Sequence, residues 1–252
     1  MDRQSDFVPI ADIRSAHQRR GITVIEIIVC VGIIGLLIAL LLPAMRSSRG
    51  PSHRNACRLQ LKQIAIGLQN YSDVYKAFPP ACTVDAEGKP LHSWRTLILP
   101  YIEETVLYKK IDLSKPWNDP ANAEAFKTPI SAYQCPSSEA KGNQTTYLAI
   151  VAPDGFFQSN EPRNLSDVTD GASKTIMVIE APSDQSVPWM APQDADEKLL
   201  MAIGPDSKLS HPGIFLAAFV DGSVRSFESE LPADKRRALI SIAADDPVDL
   251  DE

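Results

Sequence analysis

The chain has 252 residues, 44% hydrophobic and 23% charged, with twenty prolines against twelve glycines. That suits one membrane element plus one globular domain of about 150–200 residues with its own core, and it excludes long disorder. Charge is uneven: up to Lys62 there are nine basic and four acidic residues, net +5, so a total of −7 leaves −12 for residues 63–252. An acidic domain disfavours nucleic acid, whose phosphates need a positive surface. The basic stretch beside an apolar run suits anionic lipid headgroups instead.

From Ile22 to Leu42 the sequence reads ITVIEIIVCVGIIGLLIALLL, 21 residues with Glu26 as the one charge. As a helix it would span about 31 Å, close to the hydrocarbon thickness of a bilayer. An ordinary signal anchor is the plainest reading. A cleaved secretory signal fits less well, because its apolar core is only about 7–15 residues long and small residues mark its cleavage site. Here the bulky Leu42 stands two before Ala44.

Three details make the run specific. Arg19-Arg20-Gly21 stands directly before it. Glu26 lies inside it, where a carboxylate costs about 2.5–3.5 kcal/mol near the bilayer centre and less near an end, so it should have a partner. Pro43 closes it and predicts a kink in a helix that continues beyond. With these residues the segment RRGITVIE resembles the type IV pilin and pseudopilin superfamily. The resemblance implies cleavage after Gly21 by a prepilin peptidase, N-methylation of Ile22, and pairing of Glu26 with an N-terminal ammonium when helices bundle with other pseudopilins. It also implies a cytoplasmic leader and an exported domain. The charge count points the other way, since the flank after the run is the more positive one, but the cleavage motif is the more specific signal.

Further along, Cys57, Leu61, Ile64, Leu68, Tyr71 and Tyr75 recur at spacings of 4, 3, 4, 3 and 4, one apolar stripe of an amphipathic helix. Arg54, Arg58, Lys62 and Gln69 take its other faces. Pro79-Pro80 ends this helical region. Residues 91–110 predict two short helices broken at Pro100, with Trp94, Leu97, Ile98, Tyr101, Leu107 and Tyr108 in the core. The C-terminal half predicts strands at Thr146–Val151, Lys174–Glu180, Gly213–Val220 and Ser223–Phe227. Asp221-Gly222 between the last two reads as a type I′ hairpin turn. Leu231–Ala243 predicts a last helix capped near Asp234, before an acidic tail.

Four cysteines occur without a CxxC pair, so sequence supports no zinc site. Cys30 reads as a buried small hydrophobe. Cys82 and Cys135, both in loop-like sequence of the exported domain, are a candidate disulfide whose pairing sequence leaves open. Asp184, Asp194, Asp196 and Glu197 supply oxygens of the kind calcium takes, without EF-hand order, and a solvated acidic surface is the plainer reading. No cofactor is expected. GxSxG, HExxH, Walker A and GxGxxG sequences are missing, so no enzyme is predicted.

Taken together, the chain resembles a prepilin-type family of unknown function abundant in planctomycete-like bacteria and sometimes labelled solute-binding. Its landmarks appear in order: CRLQLKQIAIGLQNY (Cys57–Tyr71), FPPA (Phe78–Ala81), GKPLHSWR (Gly88–Arg95), LPYIE (Leu99–Glu103), CPS (Cys135–Ser137), TDGASKT (Thr169–Thr175) and HPGIFLAAFVDG (His211–Gly222). His211, Asp221 and Gly222 are its His-x9-Asp-Gly element. His211 and Asp221 could bind a metal or glycan. A strand between them would be about 30 Å long, so the reading preferred here is structural.

The expected fold is α+β and pilin-like: a long N-terminal transmembrane and amphipathic helix packed on a C-terminal antiparallel β-sheet domain. Its parts are a leader at 1–21, a transmembrane helix at 22–42, its amphipathic continuation at 43–76, a periplasmic or extracellular domain at 77–243 and the tail at 244–252. The expected function is a pseudopilin-like structural protein of a type II secretion or type IV pilus-like assembly in the inner membrane. The alternative is an anchored extracellular module that binds a carbohydrate or other solute and never polymerises.

Overall fold

The structure is a computed structural model that describes residues 23–47 and 49–243. The leader, the Gly21–Ile22 junction and the acidic tail lie outside the described residues. The chain divides at Arg49/Gly50 into two units.

The first unit holds α1 (Val24–Ser47), whose bounds take in Pro43. Thr23 precedes it, and the Glu26 carboxylate accepts from the Thr23 backbone N–H (2.8 Å) and hydroxyl (2.9 Å). An acid at the third helical position thus satisfies a donor at the helix start, as one half of a capping box does. From Val24 to Ile38 the large apolar side chains are 52–73% exposed, and Cys30 is a free, exposed cysteine rather than a buried one. Among the described residues no helix is long and apolar enough to cross a membrane. The described side chains of α1 stop at Ile38, part-way along the apolar run.

All of α2 (Arg49–Tyr75) but its first residue belongs to the second unit. Its stripe behaves as the periodicity predicts: Cys57, Leu61, Ile64 and Leu68 are fully buried, and the stripe fades outward to an exposed Tyr75. Lys76 then takes a left-handed φ of 63°, and its N–H donates to the Ser72 carbonyl (2.8 Å). That is how many helices end, and Pro79-Pro80 prevent resumption. A short hairpin of β1 (Cys82–Val84) and β2 (Pro90–Ser93) follows. Next come α3 (Trp94–Leu97), a 3-10 turn at Leu99–Tyr101, and α4 (Thr105–Tyr108). The predicted break at Pro100 is therefore a tightened turn, because proline suits the first turn of a helix. Residues 120–127 form another 3-10 turn and α5 (Ala123–Lys127), and β3 (Gln144–Thr145) later pairs with β6 (Val187–Pro188).

The main sheet has five strands in the order β7-β4-β5-β8-β9: β7 (Ala195–Asp196), β4 (Tyr147–Val151), β5 (Ile176–Glu180), β8 (Ile214–Phe219) and β9 (Val224–Glu228). It is mixed rather than antiparallel throughout, since edge strand β7 runs parallel to β4. Both faces are covered. Tyr147, Ala149, Leu216 and Ala218 share a core with the α2 stripe. Leu148, Ile150, Phe215, Ala217 and Phe219 share another with Leu200 of α6 (Glu197–Ala202) and with Leu239 and Ile240 of α7 (Ala233–Ile240). Neighbouring residues fall on opposite faces, as the two-residue repeat of a strand requires. The N-cap of α7 is Pro232, two residues before Asp234, which lies in the first turn; a proline fixes the φ from which that turn departs.

Two buried arginines hold this unit together. Arg95 is fully buried and meets Asp194 at 2.6 Å. Its guanidinium also donates to the carbonyls of Tyr147, Trp189, Ala191 and Gln193. Asp194 in turn accepts from the Trp94 indole (3.0 Å) and the Ala149 N–H (2.8 Å). Arg236 of α7 donates to the carbonyls of Leu200, Met201, Ile203, Ser229 and Leu231. Those at Leu200 and Met201 belong to the end of α6, where the negative end of the helix dipole favours a cation.

Candidate functional site

Four donor side chains converge beneath α2: Cys57, Cys135, Glu180 and His211, all buried, with their ligand-type atoms within 4.8 Å of one another. Each comes from a different element. Cys57 belongs to the α2 stripe. Cys135 follows a 3-10 turn at Ser131–Tyr133. Glu180 ends β5. His211 opens the turn into β8, where Gly213 has a φ of +74° and the Ile214 N–H donates to the His211 carbonyl (3.0 Å).

Cys57 and Cys135 form a disulfide, with Cα atoms 4.9 Å apart and a sequence separation of 78. This corrects the expected pairing of Cys82 with Cys135. Cys82 is a free, half-buried thiol that donates to the Ser159 carbonyl at 3.2 Å. Cys57 fits the apolar period of its helix so well that it passes for an ordinary hydrophobe. Yet Cys57 and Cys135 are the cysteines that open two of the sequence landmarks, and that shared position was the available signal.

Glu180 reaches the cluster because of a bulge. The register between β5 and β8 shifts between Ile176 and Val178. Ile176 accordingly faces the α7 side, Met177 and Val178 both face the α2 side, and Ile179 faces back. Simple alternation would put Glu180 on the face of Ile176; the extra residue re-aims it toward the disulfide. Its Oε2 lies 3.7 Å from His211 Nε2, and that nitrogen lies 3.8 Å from Cys135 Sγ. The first distance is too long for a hydrogen bond. Glu180 Oε1 has no hydrogen-bond partner among the described residues.

Burial pushes the Glu180 carboxyl up to about 7, with the Ser210 hydroxyl acting in the opposite direction. Burial lowers His211, and electrostatic repulsion from Arg54, and to a lesser extent from the neighbouring His53, lowers it further. At neutral pH Glu180 is therefore about half ionised, beside an imidazole whose burial disfavours the charged form, and the two do not make a firm ion pair. With the sulfurs bonded to each other, the cluster acts as a staple joining α2 to the loop at Cys135, against the end of β5 and the start of β8.

The other half of the His-x9-Asp-Gly element sits at the far end of β8, in the turn to β9. The Gly222 N–H donates to the Phe219 carbonyl (2.8 Å) and the Phe219 N–H to the Ser223 carbonyl (2.9 Å). Gly222 has a φ of +79°, while Asp221 is not left-handed. This is a three-residue loop with one left-handed residue, not the expected type I′ turn, which needs two. The Asp221 carboxylate accepts from the Ser223 N–H (2.8 Å). Helix α2 grips the turn: Lys62 Nζ donates to the Gly222 carbonyl (2.6 Å), Gln69 to that of Val220 (3.3 Å) and Arg58 to that of Val224 (2.9 Å). A Cβ on Gly222 would stand 2.7 Å from the Gln69 amide. His211 and Asp221-Gly222 thus moor the two ends of one strand to α2, His211 at the disulfide and Gly222 at Lys62 and Gln69.

The acids weighed for calcium have other duties. Asp194 is bound to Arg95, Asp196 accepts from the Leu199 N–H at the start of α6, and Glu197 pairs with Arg237 at 3.2 Å. Asp184 is exposed at a 3-10 turn. Along the β7 edge lie two clefts, of about 450 Å³ and 350 Å³. Both are lined by Val151 and Asp196, and the smaller one also by the Cys82 thiol.

These features define a class: an α+β domain whose leading helix is fastened to a mixed sheet by a buried disulfide and by a basic grip on its last hairpin. The chain belongs to the family described as protein of unknown function DUF1559, with the short name SBP_bac_10, whose model matches residues 47–152 and 139–210. The match ends one residue before His211. No curated protein and no solved structure matches the chain.

Proposed function

We propose that the protein is a membrane-anchored, pseudopilin-like structural component, processed by a prepilin peptidase at Gly21–Ile22 and displaying its domain outside the inner membrane. The observation that carries this reading is the apolar surface of α1. From Val24 to Ile38 its large side chains are valine, isoleucine and leucine, and all are exposed. A helix that is apolar all round needs lipid or other helices about it. Glu26 is the exception to that surface, and it stands at the end where cleavage would free an amine. The disulfide supports an oxidising, exported location for the domain. No catalytic role is assigned.

A second reading, an anchored module that binds a solute, is favoured by the two clefts on the β7 edge and by the short name of the family. Cys30 separates the two. In membranes bearing the Cys82→Ser chain, mild oxidation should give Cys30-linked dimers if the helices bundle. Exclusively monomeric chains would refute the assembly reading and favour the solute-binding one.

A further inference from the structure

We propose that reduction of the Cys57–Cys135 disulfide converts the cluster beneath α2 into a closed four-ligand zinc site, with Cys57 Sγ, Cys135 Sγ, His211 Nε2 and a Glu180 carboxylate oxygen as ligands. The inference is independent of how the chain is anchored. The donors are two sulfurs, an imidazole nitrogen and a carboxylate oxygen, all of them zinc ligands, and their mixture selects zinc over magnesium or calcium. Zinc bonds of about 2.0–2.3 Å in a tetrahedron place ligand atoms roughly 3.2–3.8 Å apart. His211 Nε2 already lies 3.7 Å from Glu180 and 3.8 Å from Cys135. The sulfurs must separate to roughly 3.8 Å, and the remaining ligand atoms, all within 4.8 Å of one another, need only close in on the ion.

Two observations point to a ligand here beyond the staple. Glu180 Oε1 is buried without a partner, and such a group is costly unless something binds it. The register shift in β5 also spends a residue to aim this carboxylate at the sulfurs. A hydrophobic side chain would fill the space around a purely structural disulfide at lower cost.

The chemistry balances with a dithiol reductant. Two electrons and two protons pass from the dithiol to the disulfide, whose S–S bond breaks to give two thiols, while the reductant closes its own disulfide. Zinc then displaces one proton from each thiol, together with any proton held by Glu180, and binds two thiolates, neutral His211 and ionised Glu180. The resulting site carries one net negative charge, and Arg54, whose field reaches His211, opposes it. With four protein ligands the site is closed and structural, with no open position for catalysis.

The test uses the full chain in detergent, reduced with a phosphine and titrated with cobalt(II) as a spectroscopic stand-in for zinc. The expected result is about one cobalt per reduced chain, with the thiolate charge-transfer and intense visible bands of a tetrahedral site, and no uptake by the oxidised chain. His211→Ala and Glu180→Gln keep the disulfide, so their folding can be verified in the oxidised state. After reduction each should bind cobalt at least tenfold more weakly, while Cys82→Ser binds as the parent does. A reduced parent chain that unfolds or stays intact without taking up cobalt would overturn the proposal. So would His211→Ala and Glu180→Gln variants that bind as tightly as the parent.

Discussion

Removing the disulfide should be among the most costly perturbations of the globular unit. The bridge spans 78 residues of sequence, and closing a loop of that length in the unfolded chain removes about 15 cal/mol/K of entropy, or about 4.5 kcal/mol at room temperature. Cys57→Ser with Cys135→Ser should therefore lower unfolding stability by about 4 kcal/mol. For a unit of this size a urea dependence of about 2 kcal/mol per molar turns that into a midpoint roughly 2 M lower. The assay is urea unfolding of the detergent-solubilised chain, followed by tryptophan fluorescence, since Trp94 and Trp189 are buried. A chelator must be present so that metal cannot replace the bridge. A midpoint shift below about 0.5 M would show that α2 is held by its apolar stripe and basic grip alone, and that the staple is incidental.

Arg95→Ala should destabilise the domain by about 3–5 kcal/mol in the same assay, because it strands the buried Asp194 carboxylate and four backbone carbonyls; a loss under 1 kcal/mol would contradict the role given to this pair. Gly222→Ala meets both a left-handed φ of +79° and the Gln69 amide at 2.7 Å, so a loss of about 1–3 kcal/mol is expected, and an unchanged midpoint would argue against the docked turn. Glu180 is raised from 4.5 to about 7 by burial. Its neutral form favours the fold, a contribution fully present below pH 4.5 and lost as pH rises through 7. Glu180→Gln should thus match the oxidised parent at pH 4.5 and exceed it at pH 8 by up to about 3 kcal/mol; equal pH profiles would refute the burial argument. Glu26→Ala should leave processing intact and abolish Cys30 cross-linking, whereas undiminished cross-linking would remove Glu26 from the helix contact.

The α2 stripe and the four main strands were legible because they obey simple periods. Cys57, Leu61, Ile64 and Leu68 repeat as a helix does, and IFLAAF and VRSFE flank a turn residue and a glycine. What escaped notice was set by distant partners. Nothing local marks Cys57 as the mate of a cysteine 78 residues on. Arg95 and Arg236 look like surface residues, yet each is buried among carbonyls that converge only after folding. The stretch IMVIE shows no alternation that would betray its bulge, so the direction of Glu180 could not be read. Asp221-Gly222 was recognisable as a turn but not as its type, because Gln69 and Lys62 of α2 help to shape it. The sequence also presented His211 as half of a spaced motif, whereas its neighbours in the fold are Cys135 and Glu180.

The anchoring claim is tested most directly by intact mass spectrometry of the chain extracted from membranes of cells with an active leader peptidase. Its predicted mass is that of residues 22–252 with one added methyl group and two hydrogens lost to the disulfide. A protein that is recovered uncleaved, still carrying Met1 through Gly21, would contradict the account.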